Sequence, residues 1–417
     1  MARVTSQPLP TSFVVLRGRL VTPDALVEDG AVVVDGAQLR WVGAAAEIPE
    51  PWRAGMGAPT TDTLLPGLVD IHCHGGGGAS FPDATTAGEV ATAAGEHLRH
   101  GTTSLVGSLV TAAGDVLVER AALLADAVQA GVLVGIHAEG PFLSHDRRGA
   151  QSPAHLVPGD PALVRRLVEA SRAGLVTMTV APEIAGVVAP PDDVMAALVA
   201  GGAVPSIGHT DASAEQAEVA IARAVALVSA DPSMPGRRPT ATHLFNGMRP
   251  LHHRDPGPVA ACLAAAARGE LVVELVADGT HLADATVRTV FDLVGPDAIA
   301  LVTDAMAAAG MPDGDYRLGP MDVRVAGGVA RIVEADGSAG SIAGGTAHLL
   351  DVVRCTVGAG VPLVDAVRAA SVTPADVLGR RDLGSLVAGH RADLVVVDDD
   401  LRPRRVMRRG AWLGDGD

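Results

Sequence analysis

Short apolar runs alternate with longer Ala- and Leu-rich stretches between residues 67 and 378. The longer stretches, such as 115–131 and 283–295, space their apolar residues as amphipathic helices do. Continuous apolar strands separated by helices are typical of a parallel sheet with covered faces. Eight repeats over about 240 residues predict a (β/α)8 TIM-type barrel, with an open doubly wound sheet as the alternative. The predicted strands are Leu68–His74, Thr102–Leu109, Val132–Ala138, Leu175–Ala181, Ala203–Gly208, Thr240–Leu244, Leu271–Ala277 and Ala298–Thr303.

Both ends of the chain have a different pattern, in which Val, Ile and Thr alternate with Gly and Asp. Residues 12–66 read as short strands and turns, and the same pattern returns near the C-terminus. This arrangement predicts a small β-sandwich domain built from both termini, 1–66 and 379–417, around a catalytic barrel at 67–378. A hairpin-like insertion at 311–338 follows the eighth strand, where it could act as a lid over the site.

Composition narrows the possible partners. The net charge of −16 is spread along 417 residues, which argues against a nucleic-acid or anionic-membrane partner. Aromatic residues make up only 2%, too few for base-stacking platforms or an aromatic sugar groove. An anionic substrate would therefore need a local basic site. The chain contains no lysine, which excludes a Schiff-base lysine and a carboxylated lysine bridging two metals.

The cellular compartment is predicted from cysteine usage and from apolar runs. Three cysteines in so long a chain do not make a disulfide framework. The sequence has no apolar run of about 18 residues, and its N-terminus lacks the features of a secretory signal. We therefore expect a cytoplasmic protein with no membrane partner.

Histidine and acidic residues stand at the ends of the predicted strands. The carboxyl ends of barrel strands meet on one rim, where active sites form, so these side chains are expected to converge. Imidazole and carboxylate together suit Zn or Fe(II), with Mn or Co also possible. The predicted metal ligands are His72, His74, Glu139, His209, His243 and Asp304. Four other histidines are predicted to be surface or satisfied core residues, namely His97, His100, His155 and His390.

The order of residues within the strands suggests their roles. His72 and His74 lie two apart on a strand, so both rings face the barrel interior and Cys73 packs outward as a thiol. Glu139 can bridge two ions, as a carboxylated lysine does elsewhere. Asp304 is placed to ligate a metal and to accept a proton from its water.

Six segments, in chain order, resemble the motifs of N-acetylglucosamine-6-phosphate deacetylases of the amidohydrolase superfamily. They are GLVDIHCHG, HAEGPF, GHTDA, THLFNGM, ADGTH and LVTDAM, and the resemblance extends from about Leu65 to Asp393. It implies hydrolysis of N-acetyl-D-glucosamine 6-phosphate to glucosamine 6-phosphate and acetate, in amino-sugar catabolism and cell-wall sugar recycling. By family analogy it also implies a homodimer.

The resemblance implies a role for each matching residue. Glu139, His209 and His243 match the family's best-kept metal ligands, and keeping both His72 and His74 favours two ions per chain. Asp304 matches the catalytic aspartate. The implied substrate-binding residues are Asn246, Gly247, Arg254 and His281 near the phosphate or sugar, Ala150 and Gln151 near the sugar, and Ile342 against the acetyl methyl.

Two departures from the family pattern accompany these matches. Gln151 stands where some members carry a histidine, and Gly345 stands where a serine is expected. Alternative functions are an amidohydrolase acting on N-acetylgalactosamine 6-phosphate, on a cyclic amide or on another amide, and a non-catalytic sugar-phosphate sensor. The sequence around Asn246 and Arg254 disfavours cyclic amides, and the complete ligand set disfavours a sensor.

Overall fold

The computed structural model describes residues 13–414 and has a parallel barrel at its centre. Eight strands pair in chain order, and every pair is parallel. A bridge between Cys73 and Ala305 joins the first strand to the chain that follows the eighth, and this contact closes the ring. The predicted barrel is therefore confirmed. Its strands are Leu68–Cys73, Thr102–Leu109, Gly135–Glu139, Leu175–Val180, Val204–Ile207, Thr240–Ala241, Val272–Leu275 and Ile299–Leu301.

Several strands are shorter than predicted. The sixth strand ends at Ala241 rather than Leu244, because the backbone turns into the left-handed region at His243 with φ of 27°. The third strand begins at Gly135, three residues later than predicted, and extends to Glu139. These differences at strand ends matter because the predicted ligands lie there.

Helices follow the barrel strands and bury their apolar faces against them. Ala87–Arg99 begins with a capping box formed by Thr86 and Glu89, and Ala214–Ala230 begins with one formed by Ser213 and Gln216. The remaining helices are Glu50–Arg53, Gly114–Gln129, Pro161–Ser171, Val194–Ala200, Gly257–Ala267, Asp284–Val294, Leu349–Gly358, Leu363–Ala369 and Val372–Val377, with 3-10 turns at Ala45–Glu47, Pro153–His155 and Pro296–Ala298. None of the helices in the described part of the chain is long and apolar enough to cross a membrane.

The two chain ends form one small β domain, as predicted. Its seven strands make a hydrogen-bonded sheet in which Leu394–Val397 from the C-terminal part pairs antiparallel with Thr63–Pro66. The other strands are Val14–Val21, Leu26–Asp35, Gln38–Ala44, Pro403–Arg408 and Ala411–Trp412. The proposed boundaries stay predictions, and their outer parts, 1–12 and 415–417, lie outside the described residues.

The insertion after the eighth strand forms a four-stranded antiparallel sheet, which we call the lid sheet. Its strands are Gly314–Leu318, Met321–Ala326, Val329–Val333 and Ala339–Ile342, and a second short pair joins Gly75–Gly76 to Ala79–Ser80. Leu318 and Ile342 of the lid sheet line the cavity at the carboxyl ends of the barrel strands. Whether this sheet moves as a lid stays a prediction.

Candidate metal and substrate site

The six predicted metal ligands meet at the mouth of the barrel, and we call this group the rim cluster. They are His72, His74, Glu139, His209, His243 and Asp304. One trio consists of His72, His74 and Asp304, and the other of Glu139, His209 and His243. All six are buried, although they come from distant parts of the chain.

Glu139 connects the two trios. Its Oε1 lies 2.9 Å from Nε2 of His209 and 2.9 Å from Nε2 of His243. Its Oε2 lies 3.2 Å from Nε2 of His74. A single carboxylate therefore contacts ligands of both trios, which is the position that a bridging ligand needs.

The first trio is equally compact. The Nε2 atoms of His72 and His74 are 3.1 Å apart, and Oδ1 of Asp304 lies 3.4 and 3.2 Å from them, respectively. Two neutral imidazole nitrogens at this distance require a shared proton or cation, since two lone pairs would repel each other. The donor set of nitrogen and carboxylate oxygen fits a divalent first-row metal ion.

Backbone turns aim three of these side chains into the cavity. His209, His243 and Asp304 have φ of 45°, 27° and 47°, in the left-handed region that non-glycine residues rarely adopt. Each such conformation costs about 1–3 kcal/mol, and strain of this kind concentrates at functional sites. All three residues follow the end of a barrel strand, so the turn places the ring or carboxylate over the barrel mouth.

Charge–charge interactions shift the pKa values of the cluster. Burial alone would raise the pKa of Glu139, but the adjacent His209 and His243 hold it well below its usual range. Burial would likewise raise the pKa of Asp304, and His72 and His74 reverse this effect. Burial would lower the pKa of His72, but the carboxylates, Asp304 foremost, raise it to about 10. The carboxylates are therefore ionised at neutral pH and available to hold a cation.

Most of the predicted substrate residues share a cavity of about 370 Å³ with the cluster. His72 is fully buried and is not among the residues that line the cavity. Besides the other five members of the rim cluster, the predicted residues that line this cavity are Ala150, Gln151, Asn246, Gly247, His281 and Ile342. His281 is fixed there by a 2.9 Å hydrogen bond between its Nδ1 and Asp278.

Arg254 is the predicted residue that does not line this cavity. Its side chain is exposed on the loop that follows the sixth strand, and the neighbouring Asp255 pairs with Arg249 instead. Within residues 13–414, no carboxylate pairs with the Arg254 guanidinium. The group is therefore available to a ligand that extends out of the cavity.

Gln151 lies closer to the metal ligands than predicted. Its Nε2 donates a 2.6 Å hydrogen bond to Oε2 of Glu139, and its Oε1 accepts one from the Thr111 backbone N–H. The side-chain amide therefore orients the bridging carboxylate in addition to lining the cavity. Nothing in the sequence around Gln151 predicted this contact.

Two residues that the sequence analysis missed orient the ligand imidazoles. The carboxylate of Glu274 lies 3.0 Å from Nδ1 of His72, and the backbone carbonyl of Arg147 lies 2.7 Å from Nδ1 of His209. A signal for Glu274 was present, since it is the one acid inside the apolar run LVVELVA. A backbone carbonyl leaves no such signal.

Cys73 packs as predicted. Its thiol is fully buried on the helix side of the first strand, 3.3 Å from Nε2 of His97. Burial raises the pKa of this thiol well above its usual value, so it stays protonated. His137, which precedes Glu139 by two residues, bonds to Ser108 and Thr179 and makes no contact with a carboxylate of the cluster.

Comparisons with known proteins relate the chain to one family. A model of the amidohydrolase family matches residues 63–413. An N-acetylglucosamine-6-phosphate deacetylase of Bacillus subtilis is 32% identical over 408 residues, which cover 94% of each chain. The crystal structure of the N-acetyl-D-glucosamine-6-phosphate deacetylase from Mycobacterium smegmatis is 39% identical, with a TM-score of 0.85 over 96% of this chain and all of that one. An aspartate-to-alanine mutant of that enzyme was solved in complex with N-acetyl-D-glucosamine-6-phosphate.

Proposed function

This chain belongs to the amidohydrolase family, and on that basis we propose that it hydrolyses the acetamide of N-acetyl-D-glucosamine 6-phosphate. The products are D-glucosamine 6-phosphate and acetate, and the reaction belongs to amino-sugar catabolism. The observation that carries the proposal is the shared cavity, where Asp304 and other ligands from both trios lie together with Asn246, Gly247 and Ile342. The enzyme uses a divalent metal.

The mechanism follows from the positions of the side chains. The two trios would hold divalent ions, which supply Lewis acidity and bring the pKa of bound water towards 7. Asp304 is ionised and accepts the proton of the water molecule that attacks the acetyl carbonyl carbon. It then donates this proton to the sugar nitrogen, the C–N bond breaks, and acetate and the free amine leave. Its left-handed backbone holds the carboxylate over the mouth of the barrel throughout.

Substrate orientation is assigned to the loops around the cavity. Ile342 of the lid sheet would pack against the acetyl methyl, and the backbone of Ala150 would contact the sugar. Asn246 and Gly247 would hold the sugar or phosphate. The phosphate would extend towards His281 and the exposed guanidinium of Arg254, which can bind it in two-pronged fashion.

The metal count, metal identity and assembly belong to the same proposal. We propose two ions per chain, because both trios are complete and Glu139, which contacts ligands of both, would help to hold each ion. Zinc or Fe(II) suits the donor set best, and Mn or Co is also compatible with it. A homodimer is proposed from family analogy, and a cytoplasmic location from the small number of cysteines, all three of which are free.

Acetate release from purified protein tests the function. We expect rapid release from N-acetylglucosamine 6-phosphate, loss of turnover after chelation, and recovery when zinc or Fe(II) is returned. Metal analysis of the same samples should give two ions per chain. N-acetylgalactosamine 6-phosphate and unphosphorylated N-acetylglucosamine should be poorer substrates. Faster release from the galacto epimer would reassign the substrate, and no release from any of the three would refute the proposal.

A further inference from the structure

Glu274 is a buried acid with no arginine partner. It lies on the seventh barrel strand, Val272–Leu275, and is 1% exposed. Its Oε2 accepts hydrogen bonds from Nδ1 of His72 at 3.0 Å and from the backbone N–H of His243 at 3.3 Å. In residues 13–414, no guanidinium forms an ion pair with this carboxylate.

A buried carboxylate is strongly destabilising unless a positive charge compensates it. An imidazole that binds a metal ion is neutral, so in the metal-bound state His72 and the His243 amide would supply hydrogen bonds to Glu274 but no full charge. Compensation for Glu274 can come from beyond the His72 ring, whose Nε2 faces the first trio. The arrangement is a carboxylate, an imidazole and a metal-ligand position in series, and such a carboxylate fixes the tautomer of the ring and makes its metal-facing nitrogen more basic.

The other three ligand imidazoles lack this support. Their Nδ1 atoms face neutral groups or, in the described part of the chain, no hydrogen-bond partner. Nδ1 of His74 faces the Ser108 carbonyl at 3.3 Å, and Nδ1 of His209 faces the Arg147 carbonyl at 2.7 Å. Nδ1 of His243 has no hydrogen-bond partner among the described residues. The negative charge of Glu274 therefore acts through one ring, and that ring belongs to the trio of His72, His74 and Asp304.

The charge balance of the site also indicates that Glu274 supports metal binding by this trio. Glu139, Asp304 and Glu274 are the three carboxylates in contact with the ligand imidazoles, and together they carry a charge of −3. Two divalent ions would bring +4. Loss of Glu274 would leave a further unit of positive charge buried in the barrel, and the ion nearest to it would be held less tightly.

We propose that Glu274 is a positioning residue that selectively tightens metal binding by His72, His74 and Asp304. This inference rests on the proposed metal-dependent function. Without Glu274, the ion held by this trio is lost first, while the ion held by Glu139, His209 and His243 is retained.

The test compares wild type, Glu274→Gln and Glu274→Leu. A matched control is Asp193→Asn, which alters another fully buried carboxylate, paired with Arg223 and capping a distant helix. Each protein is loaded with zinc and equilibrated with a graded series of chelator concentrations, and the retained zinc is measured. We expect one ion of Glu274→Gln to bind about 10–100-fold more weakly, with the second ion little changed. Anomalous diffraction should place the retained ion at Glu139, His209 and His243, and Asp193→Asn should match wild type.

The experiment measures metal binding, so its result does not depend on which substrate the enzyme uses. Equal retention of both ions by wild type and Glu274→Gln overturns the inference, whatever happens to turnover. Equal weakening of both ions, or loss from the Glu139 trio, also overturns it, as does a wild type that holds a single ion. Glu274→Gln keeps the shape of the side chain, so a folding failure of Glu274→Leu does not prevent the test. Failure of the proposed function appears separately, as a zinc-loaded wild type that releases no acetate.

Discussion

Two clusters of histidine and carboxylate side chains differ in how their charge is balanced. The rim cluster surrounds Glu139 with imidazoles, and no arginine pairs with it in residues 13–414. The second group, which we call the outer cluster, lies between the helices Ala87–Arg99 and Leu349–Gly358. It consists of Glu96, His100, His348 and Asp351 with their arginine partners Arg99 and Arg354.

Arginine already neutralises the carboxylates of the outer cluster. Arg99 pairs with Glu96 at 2.9 Å and Arg354 pairs with Asp351 at 2.6 Å. The rings of His100 and His348 stack with 3.5 Å between their centroids and an interplanar angle of 10°. Nδ1 of His100 and Nε2 of His348 face Oε1 of Glu96 at 3.4 and 2.9 Å, so these residues also bring possible ligand atoms together. The two clusters therefore differ in the arginine partners of their carboxylates, and a carboxylate that arginine already neutralises has less need of a metal ion.

The largest difference between the clusters should appear when each central glutamate is neutralised. Glu139→Gln removes the one carboxylate that contacts both trios, so we expect loss of bound metal and a fall of turnover to background. Glu96→Gln, the matched change in the outer cluster, should retain its metal and most of its activity. Metal analysis and acetate release measure both effects. Two ions retained by Glu139→Gln would remove the distinction between the clusters.

Neutralising Asp304 in the rim cluster should lower turnover with little change in metal content, and the matched change in the outer cluster should do neither. Asp304→Asn keeps the shape of the side chain but cannot accept the proton, so kcat should fall by at least about 100-fold. Bound metal should change little. Asp351→Asn is the matched control, because Asp351 also bonds to a histidine but lies in the outer cluster. Near-normal turnover of a folded, metal-loaded Asp304→Asn protein would exclude Asp304 as the base.

Since the rim cluster includes no arginine, the charge of a substrate phosphate must be met elsewhere. Arg254→Ala should lower kcat/KM for the phosphorylated sugar by at least about 10-fold, because a hydrogen bond to a charged group contributes roughly 1.5–3 kcal/mol. Slow activity on the unphosphorylated sugar should hardly change. Arg148→Ala, at another exposed arginine, is the control. An equal loss on both substrates would make Arg254 structural and leave His281 as the next candidate for phosphate binding.

The smallest expected effect is the response of the outer cluster to acid. Burial alone would raise the pKa of Glu96, but hydrogen bonds from Arg99 and His348 lower it. A folded-state pKa below the unfolded one stabilises the protein above about pH 4, and the contribution is lost as the pH falls through the folded value. The partner Arg99 is half exposed, so solvent screens the pair and Glu96→Gln should cost no more than about 1 kcal/mol at pH 7.

Urea unfolding at several pH values in the presence of chelator, and at pH 7 without chelator as well, measures this contribution. The stability difference between wild type and Glu96→Gln should shrink as the pH is lowered from about 7 to about 3.5. Chelator should leave the difference at pH 7 unchanged. A difference that grows in acid, or one that disappears on metal removal, would show that the outer cluster behaves like the rim cluster.

Much of the architecture could be predicted because it depends on local patterns. Apolar runs bounded by helical stretches indicated all eight barrel strands, and the residues at their ends indicated the rim cluster. The period of two along a strand predicted that Cys73 points away from His72 and His74, as it does. The alternating pattern at both chain ends likewise predicted the small β domain.

The side chains that reach the mouth of the barrel could be predicted, because strand order and strand ends follow from local pattern. The partners that each side chain contacts there became apparent only in the folded chain. Glu274 contacts His72 across 202 residues of chain, Gln151 turns its amide to Glu139, and Arg254 lies outside the cavity. His100, which was predicted to be a surface or satisfied core residue, stacks on His348 beside arginine-paired carboxylates. Such pairings depend on distances between elements that close only in the folded barrel, and local periodicity carries no information about them.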